Sequence, residues 1–191
     1  MNGYNSTRAG FTIVELLIVI VVVAILAAIV TVAYNGIQGR ARDSRRVQDM
    51  KTIVKGLEIY KTNNGSYPAP VSTTGAAGWE VSTTGSAATN FLSALVSSSS
   101  GISKVPVDPT NTGVVGDLAP AASKNNYEYF YYRYAAGDNG CDSSKGAYYV
   151  LGIARMDSVA SGQNASNSPG FSCTGRNWSY EGAWVTGGYT N

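Results

Sequence analysis

The sequence predicts an α+β fold in which a long N-terminal α-helix packs on a small antiparallel β-sheet. The first observation is an almost unbroken apolar run over residues 11–33. The second is that apolar residues recur at three- and four-residue spacing from Tyr34 to Lys61, which indicates an amphipathic continuation of the same helix. The third is a pair of Tyr-rich segments with high β propensity, 126–135 and 146–156, joined by a turn-rich connection.

The apolar run is long enough to cross a bilayer. Its twenty-three residues are interrupted only by Thr12, Glu15 and Thr31, and as a helix they would span about 34 Å. A secretory signal peptide is the first alternative, since "TVAY" at 31–34 resembles a small-residue cleavage site. Signal peptides have apolar regions of about 7–15 residues, so the longer run, which also contains a carboxylate, favours a membrane-spanning helix.

Glu15 requires an explanation, because a carboxylate inside a membrane helix is costly and indicates a function by default. If the mature chain began at Phe11, Glu15 would lie in the first helical turn, near the lipid headgroups. The helix dipole favours a negative charge there, and a new α-amino group at Phe11 would bring a positive charge close by. Removal of the ten residues before Phe11 would therefore explain the carboxylate.

These features together resemble the N-terminus of type IV pilins and type II secretion pseudopilins. The resemblance rests on the hydrophilic leader "MNGYNSTRAG", the Gly10–Phe11 junction, and Glu15 opening the run "FTIVELLIVIVVVAILAAI". It continues through residues 41–68, and "VPVDPTN" at 105–111 is similar to the Pro-Asp-Pro stretch of pseudopilin-like domains.

The resemblance implies processing and assembly. A prepilin peptidase would cut after Gly10 and methylate the amine of Phe11, and Glu15 of one subunit would pair with the Phe11 amine of a neighbour. The chain would be a structural subunit of a type IV pilus-like filament, a homo- or heteropolymer with other pilins. Before assembly it would be a single-pass protein in the cell membrane, in contact with lipid and with an inner-membrane assembly platform. Afterwards it would be part of an extracellular filament or lie at the cell surface.

The same resemblance divides the chain into four parts. Residues 1–10 are the leader, 11–33 the transmembrane and filament-core helix, and 34–64 the amphipathic helix. Residues 65–191 are a globular domain with a disulfide-bounded C-terminal region. The sequence departs from the family in having no proline late in the apolar run. Four arginines between residues 40 and 46 would also place the C-terminal side in the cytoplasm by the positive-inside rule; the leader and its junction favour the opposite orientation.

Within the second half of the helix, the residues expected to face a core are Ile37, Ala41, Val47, Met50, Ile53, Val54, Leu57 and Tyr60. The helix should stop at "NNGSYP", 63–68. The arginines at 40–46 have three interpretations: an interfacial anchor, an intersubunit ion-pair strip, or a solvated face. Residues 69–126 are predicted to be surface loop, apart from a short helix at 88–96, and 179–188 to be a third strand or a C-terminal return.

Composition argues against several functions. The chain has no histidine, which removes the commonest general base and the commonest zinc ligand. We therefore expect no enzyme, no catalytic residues, no metal and no cofactor. The net charge of +2 likewise argues against nucleic acid as a required partner.

Three smaller features each have two interpretations. Cys141 and Cys173, the only cysteines, are expected to form a disulfide in an exported domain; the alternative is two free thiols. Asp138 and Asp142 carry oxygen ligands that suit calcium, yet short acidic turns are common. The tyrosines between 127 and 134 would form either an adhesive or base-stacking surface or, on alternate positions, a core face.

Two rival functions remain beside the filament subunit. Within the same family, the chain would be a pseudopilin of a type II secretion or DNA-uptake apparatus. From another class, it would be an adhesin or binding domain held by an uncleaved signal anchor, which would keep its leader.

Overall fold

The computed structural model describes residues 10–70, 78–83, 91–97, 101–112 and 126–191. In chain order it contains α1 (Ile13–Asn64), β1 (Glu80–Val81), α2 (Ser93–Ser97), β2 (Tyr129–Tyr134), β3 (Tyr148–Ile153), β4 (Ser172–Cys173), β5 (Arg176–Asn177) and β6 (Trp184–Tyr189). One sheet has the order β1-β2-β3-β6 and is antiparallel throughout; β4 and β5 form a separate hairpin. The predicted α+β class, a long N-terminal helix with a small antiparallel sheet, is confirmed.

The chain forms two compact units, and the boundary between them along the sequence lies between Gln38 and Gly39. The described part of the first unit is the N-terminal portion of α1 and the three residues before it. The second unit contains the rest of α1 and both sheets. The sequence-based limits at residues 10, 33 and 64 mark an expected change of processing or environment, and they remain predictions.

The end of α1 follows from its local sequence. Helix geometry stops at Asn64, and Gly65 then adopts a left-handed conformation with φ of +74°. Its N–H donates to the carbonyl of Lys61 at 2.7 Å, which satisfies one of the last carbonyls of the helix. The stop predicted at "NNGSYP" therefore lies where glycine is needed.

The main core lies between the second half of α1 and one face of the sheet. From the helix, Met50, Ile53 and Leu57 are completely buried, and Val47, Val54 and Tyr60 are partly buried around them. Two residues predicted to lie on this face do not: Ile37 is 64% exposed and Ala41 is also exposed. The helical spacing continues through both positions, but the sheet first covers the helix further along the chain.

The sheet is covered on both faces. Tyr129 and Tyr131 of β2 point toward α1 and belong to the main core. The opposite face carries a second cluster that contains Trp79, Phe130, Tyr134, Cys141, Tyr148, Val150, Trp178 and Val185. The sequence predicted at most one core face for these tyrosines, and the C-terminal segment supplies the second layer.

Three structural elements differ from the prediction. β1 lies in a stretch predicted to be loop, where its two residues pair with Phe130 and Tyr131. The β4–β5 hairpin was not predicted either, because two-residue strands carry no alternating pattern. The short helix predicted at 88–96 is α2, at Ser93–Ser97, and positions 88–90 lie outside the described residues.

Candidate functional site

The N-terminal part of α1 presents an apolar surface that the chain itself does not cover. Among the described residues, α1 is one helix whose length and composition would suit a membrane span, and none of its most apolar window is buried. Exposed fractions in this segment include 81% for Ile13 and 62% for Ile29. An apolar surface of this extent is typical of contact with lipid or with other protein chains.

The predicted junction lies just before the helix. Gly10 and Phe11 have no regular secondary structure, and Phe11 is 89% exposed. A Cβ atom built at Gly10 would have no heavy atom of the described residues within 4 Å. The backbone at the predicted junction is therefore not enclosed by the part of the chain that the structure describes. The leader residues 1–9 lie outside the described residues.

Glu15 caps the start of α1. The backbone N–H of Thr12 and its hydroxyl both donate to Oε2 of Glu15, at 2.8 and 2.6 Å. In return, the N–H of Glu15 donates to the hydroxyl of Thr12 at 3.3 Å. This reciprocal pair is a capping box, in which two of the unpaired donors at a helix N-terminus are satisfied. Sequence reasoning missed it, although T-x-x-E directly before an apolar run is its signature.

A buried arginine anchors α1 in the second unit. The side chain of Arg46 is completely buried, and its Nε and Nη2 donate to Asp108 at 2.7 and 3.1 Å. Its Nη1 donates to Asp43 and to Asp157, at 2.6 Å each. A charged group out of water must be paired and hydrogen-bonded. Arg46 meets this requirement with carboxylates from three segments of the chain.

Neighbouring groups extend this cluster. Arg42 donates through Nε and Nη2 to both carboxylate oxygens of Asp157, at 3.0 Å each. The carboxylate of Asp43 accepts the backbone N–H groups of Asp157 and Ser158 at 2.8 and 2.7 Å. Burial alone would raise the pKa of Asp157, but the hydrogen bonds from Arg42 and Arg46 outweigh it and hold that pKa well below its usual value.

The four arginines at 40–46 therefore differ in environment. Arg46 is buried among aspartates of the same chain, so it belongs neither to an anchor, nor to an intersubunit strip, nor to a solvated face. Arg42 is paired with Asp157, but its side chain remains 37% exposed. Arg40 and Arg45 are exposed. Arg40, Arg45 and the exposed part of Arg42 fit the interpretations that the sequence left open. Of the four positive charges that opposed the expected orientation, those of Arg42 and Arg46 are paired with aspartates of the same chain.

The two cysteines are joined by a disulfide. Cys141 and Cys173 have Cα atoms 4.9 Å apart, and the bond connects the turn after β2 to the β4–β5 hairpin. The same turn holds the candidate calcium ligands. Asp138 accepts the backbone N–H of Ala135 at 3.0 Å, and Asp142 accepts the N–H and hydroxyl of Ser144 at 3.0 and 2.6 Å.

These carboxylates stabilise the turn, and the residues that the structure describes contain no group of three or more acidic, cysteine or histidine side chains suited to a metal.

The tyrosines of β2 also make contacts within the chain. Tyr129 donates to Asp49 at 2.8 Å and Tyr131 to the carbonyl of Pro68 at 2.7 Å. Tyr134 packs on Tyr148 and Trp178 with ring centroids 4.9 and 5.3 Å away, and burial raises its pKa to about 12. Tyr129, Tyr131 and Tyr134 are therefore part of the core, and Tyr127 and Tyr132 are partly buried.

Comparison with known proteins matches the N-terminal segment. Residues 5–31 match the family model of the prokaryotic N-terminal methylation motif. The chain is similar to the type II secretion system core protein G of Pectobacterium carotovorum subsp. carotovorum, with 32% identity over 36% of this chain and 42% of that protein. It is also similar to the core protein G of Escherichia coli strain K12, with 31% identity over 34% of this chain and 44% of that one.

A third relative is the fimbrial protein of Neisseria meningitidis serogroup A, with 34% identity over 38% of this chain and 43% of that protein. The chain thus spans less than half the length of the curated relatives it matches. No solved structure matches it. The methylation motif, the two kinds of relative and the helix-and-sheet fold agree with one another, and all of them point to the type IV pilins and type II secretion pseudopilins as the proteins that the chain resembles.

Proposed function

We propose that this chain is a structural subunit of a type IV pilus-like filament, held in the cell membrane by the N-terminal part of α1 before assembly. The observation that carries the proposal is a single charge on an exposed apolar surface. Between Gly10 and Gly39, Glu15 is the only charged residue, and it lies in the first turn of α1. A surface of this kind suits lipid in the free subunit and other helices in a filament.

Processing is the first step of the proposed function. A prepilin peptidase would cut the Gly10–Phe11 bond and methylate the new amine of Phe11. The match of residues 5–31 to the methylation motif supports this step, as does the backbone at Gly10, which the described residues do not enclose. The cut leaves Thr12 and Glu15, and so the capping box, in the mature chain.

Assembly is the second step, and it depends on electrostatics in an apolar surrounding. An unpaired charge in such a medium is costly, whereas an ion pair with good hydrogen bonds is tolerated. An incoming subunit would be favoured where its Glu15 reaches the Phe11 amine of a neighbour. The pair would thereby set the axial register of the filament.

A second function within the family is a pseudopilin of a type II secretion or DNA-uptake apparatus. The relatives named core protein G favour it, as the fimbrial protein favours the pilus. Both functions use the same N-terminal chemistry. In either case we propose a non-enzymatic protein with no cofactor, whose partners are other pilins, the prepilin peptidase, an inner-membrane assembly platform and membrane lipid. An extracellular filament or a cell-surface location follows assembly.

The experiment uses Glu15→Gln, expressed as the sole copy. The amide still accepts the two hydrogen bonds from Thr12, so it keeps the cap but removes the charge. We expect insertion, cleavage at Gly10 and a normal membrane pool, with surface filaments reduced by at least tenfold. Mass spectrometry of the N-terminus should show methylated Phe11 in both proteins.

Thr12→Ala is the matched control, because it weakens the cap and leaves the carboxylate in place. If Thr12→Ala loses filaments and Glu15→Gln does not, Glu15 acts only as a helix cap. An intact leader on protein from native cells would contradict the filament function and favour the signal-anchored adhesin.

A further inference from the structure

Four basic side chains are exposed along one side of α1 in the second unit. Arg40, Arg45, Lys51 and Lys55, here called the basic face, are all exposed. Between Arg45 and Lys55 the face also carries Gln48 and Thr52, at three- and four-residue spacing, so it lies away from the buried Met50. Of the residues that the structure describes, none forms an ion pair with these four side chains.

The carboxylates near the helix are used elsewhere. Asp43 binds Arg46, and Asp49 accepts the hydroxyl of Tyr129. Glu58 pairs with Lys61 at 3.1 Å and accepts the hydroxyl of Tyr67 at 2.7 Å. Arg45 is close enough to Asp49 for their charges to attract, whereas the charges of Lys51 and Lys55 are not balanced by an ion pair with the described residues. The lysine end of the basic face therefore suits an acidic partner.

The most exposed carboxylates of the second unit, within the described ranges, lie together on one turn. They are Asp138 and Asp142, here called the acidic turn, and they flank Cys141 of the disulfide. Lys145 is 3.8 Å from Asp142, with both side chains about half exposed. Such a pair is weak, so it leaves Asp142 available to another cation. The disulfide and the hydrogen bonds described above hold the turn in one shape.

We propose that the basic face of one copy contacts the acidic turn of a second copy in the filament. This inference rests on the proposed function. Charge complementarity selects this occupant. Two basic faces repel each other, and the acidic turn offers both a complementary charge and a fixed geometry. Next to Lys51 and Lys55 lies an apolar groove lined by Val54, Pro169 and Trp184. The groove gives the partner a surface to pack on beside the ion pairs.

Lipid headgroups are the competing occupant. Arg40 follows the apolar run closely enough for a headgroup contact. Lys51 and Lys55 follow Ala33 by eighteen and twenty-two residues, which places them far along the helix from the run. A headgroup interaction would account for one end of the basic face, whereas a protein partner accounts for its length.

The first test is carbodiimide cross-linking of wild-type filaments, followed by peptide mapping. Carbodiimide joins a lysine amine directly to a carboxylate in contact with it. We expect a peptide that links Lys51 or Lys55 to the segment with Asp138 and Asp142. The link should be absent from detergent-dissociated monomer, since it joins two copies.

The second test is charge reversal. Lys51→Glu with Lys55→Glu should lower surface filament at least fivefold, and Asp138→Asn with Asp142→Asn should lower it too, because asparagine keeps the acceptors of the turn and removes the charge. Lys104→Glu, at an exposed lysine outside the basic face, is the control and should leave filament unchanged.

The outcomes separate the two proposals. If the wild-type protein forms no filament, the proposed function fails and this inference fails with it. Normal filaments in both variants, with no such cross-link, overturn this inference and leave the function intact. A smaller membrane pool of the Lys51→Glu, Lys55→Glu variant before assembly would show that the face binds lipid, which also overturns it.

Discussion

Replacing Arg46 by alanine tests whether the buried charge cluster holds α1 on the rest of the second unit. The substitution leaves Asp108, whose side chain is completely buried, without its charged donors, and removes one donor each from Asp43 and Asp157. Removing one partner of a buried ion pair costs about 3–5 kcal/mol. A chain of this size loses about 2–4 °C of melting temperature per kcal/mol, so we expect a drop of about 6–20 °C.

The assays are thermal unfolding, for the melting temperature, and urea unfolding, for the free energy, of the full chain in detergent, both followed by tryptophan fluorescence. Trp79, Trp178 and Trp184 are all buried in the second unit, so the signal reports this part of the chain. Arg45→Ala is the matched control: the neighbouring arginine is exposed, and its free energy of unfolding should change by less than about 0.5 kcal/mol.

Arg46→Lys refines the test. Lysine keeps the positive charge but lacks the planar fork that reaches three carboxylates, so its stability should lie between those of wild type and Arg46→Ala. A free energy of unfolding for Arg46→Ala within about 0.5 kcal/mol of wild type would refute the reasoning. The cluster would then be a consequence of the fold and would not stabilise it.

Three further predictions concern α1 and the second unit. Reduction of the Cys141–Cys173 bond, which closes 32 residues, should lower the free energy of unfolding by about 3–4 kcal/mol, measured by urea titration with and without reductant. Gly39→Ala should destabilise the chain, because its Cβ would lie 3.2 Å from Cβ of Asp157. At Gly36 a Cβ would have no heavy atom of the described residues within 4 Å, so Gly36→Ala should raise the free energy of unfolding by about 0.5–1 kcal/mol in the same titration. The folded-state pKa of Asp157 is lowered, so its contribution of roughly 2 kcal/mol is present above about pH 4 and lost as the pH falls further; a Tm unchanged between pH 5 and pH 3 would contradict this.

Local patterns in the sequence account for the parts of the fold that neighbours along the chain determine. The spacing of Met50, Ile53 and Leu57 predicts the buried face of α1, and Gly65 predicts its end. The Tyr-rich runs predict β2 and β3 because alternation and β propensity are local properties. The N-terminal features around Gly10 and Glu15 predict the match to the methylation motif for the same reason, since they form one short contiguous segment.

The charge cluster required contacts that no local pattern contains. Arg46 binds Asp108 and Asp157 across 62 and 111 residues of sequence, and a single arginine in a polar stretch gives no sign of burial. β1 was missed for a related reason: its two residues form a strand only because β2 offers an edge. The exposed Ile37 shows the reverse error, in which a periodic pattern continues beyond the region that the sheet covers.

The capping box at the start of α1 bears on how a subunit could join a filament. Both donors of Thr12 bind the same oxygen of Glu15, Oε2, and the second oxygen, Oε1, accepts no hydrogen bond from the residues that the structure describes. In the proposed filament, a neighbour's amine can bind Oε1 while Thr12 keeps Oε2. Docking then adds a contact to the helix end and breaks none, so the side chain is already held in place when the neighbour arrives. The entropy of fixing its rotamer, up to about 2 kcal/mol for a glutamate, is lost during folding and not during assembly.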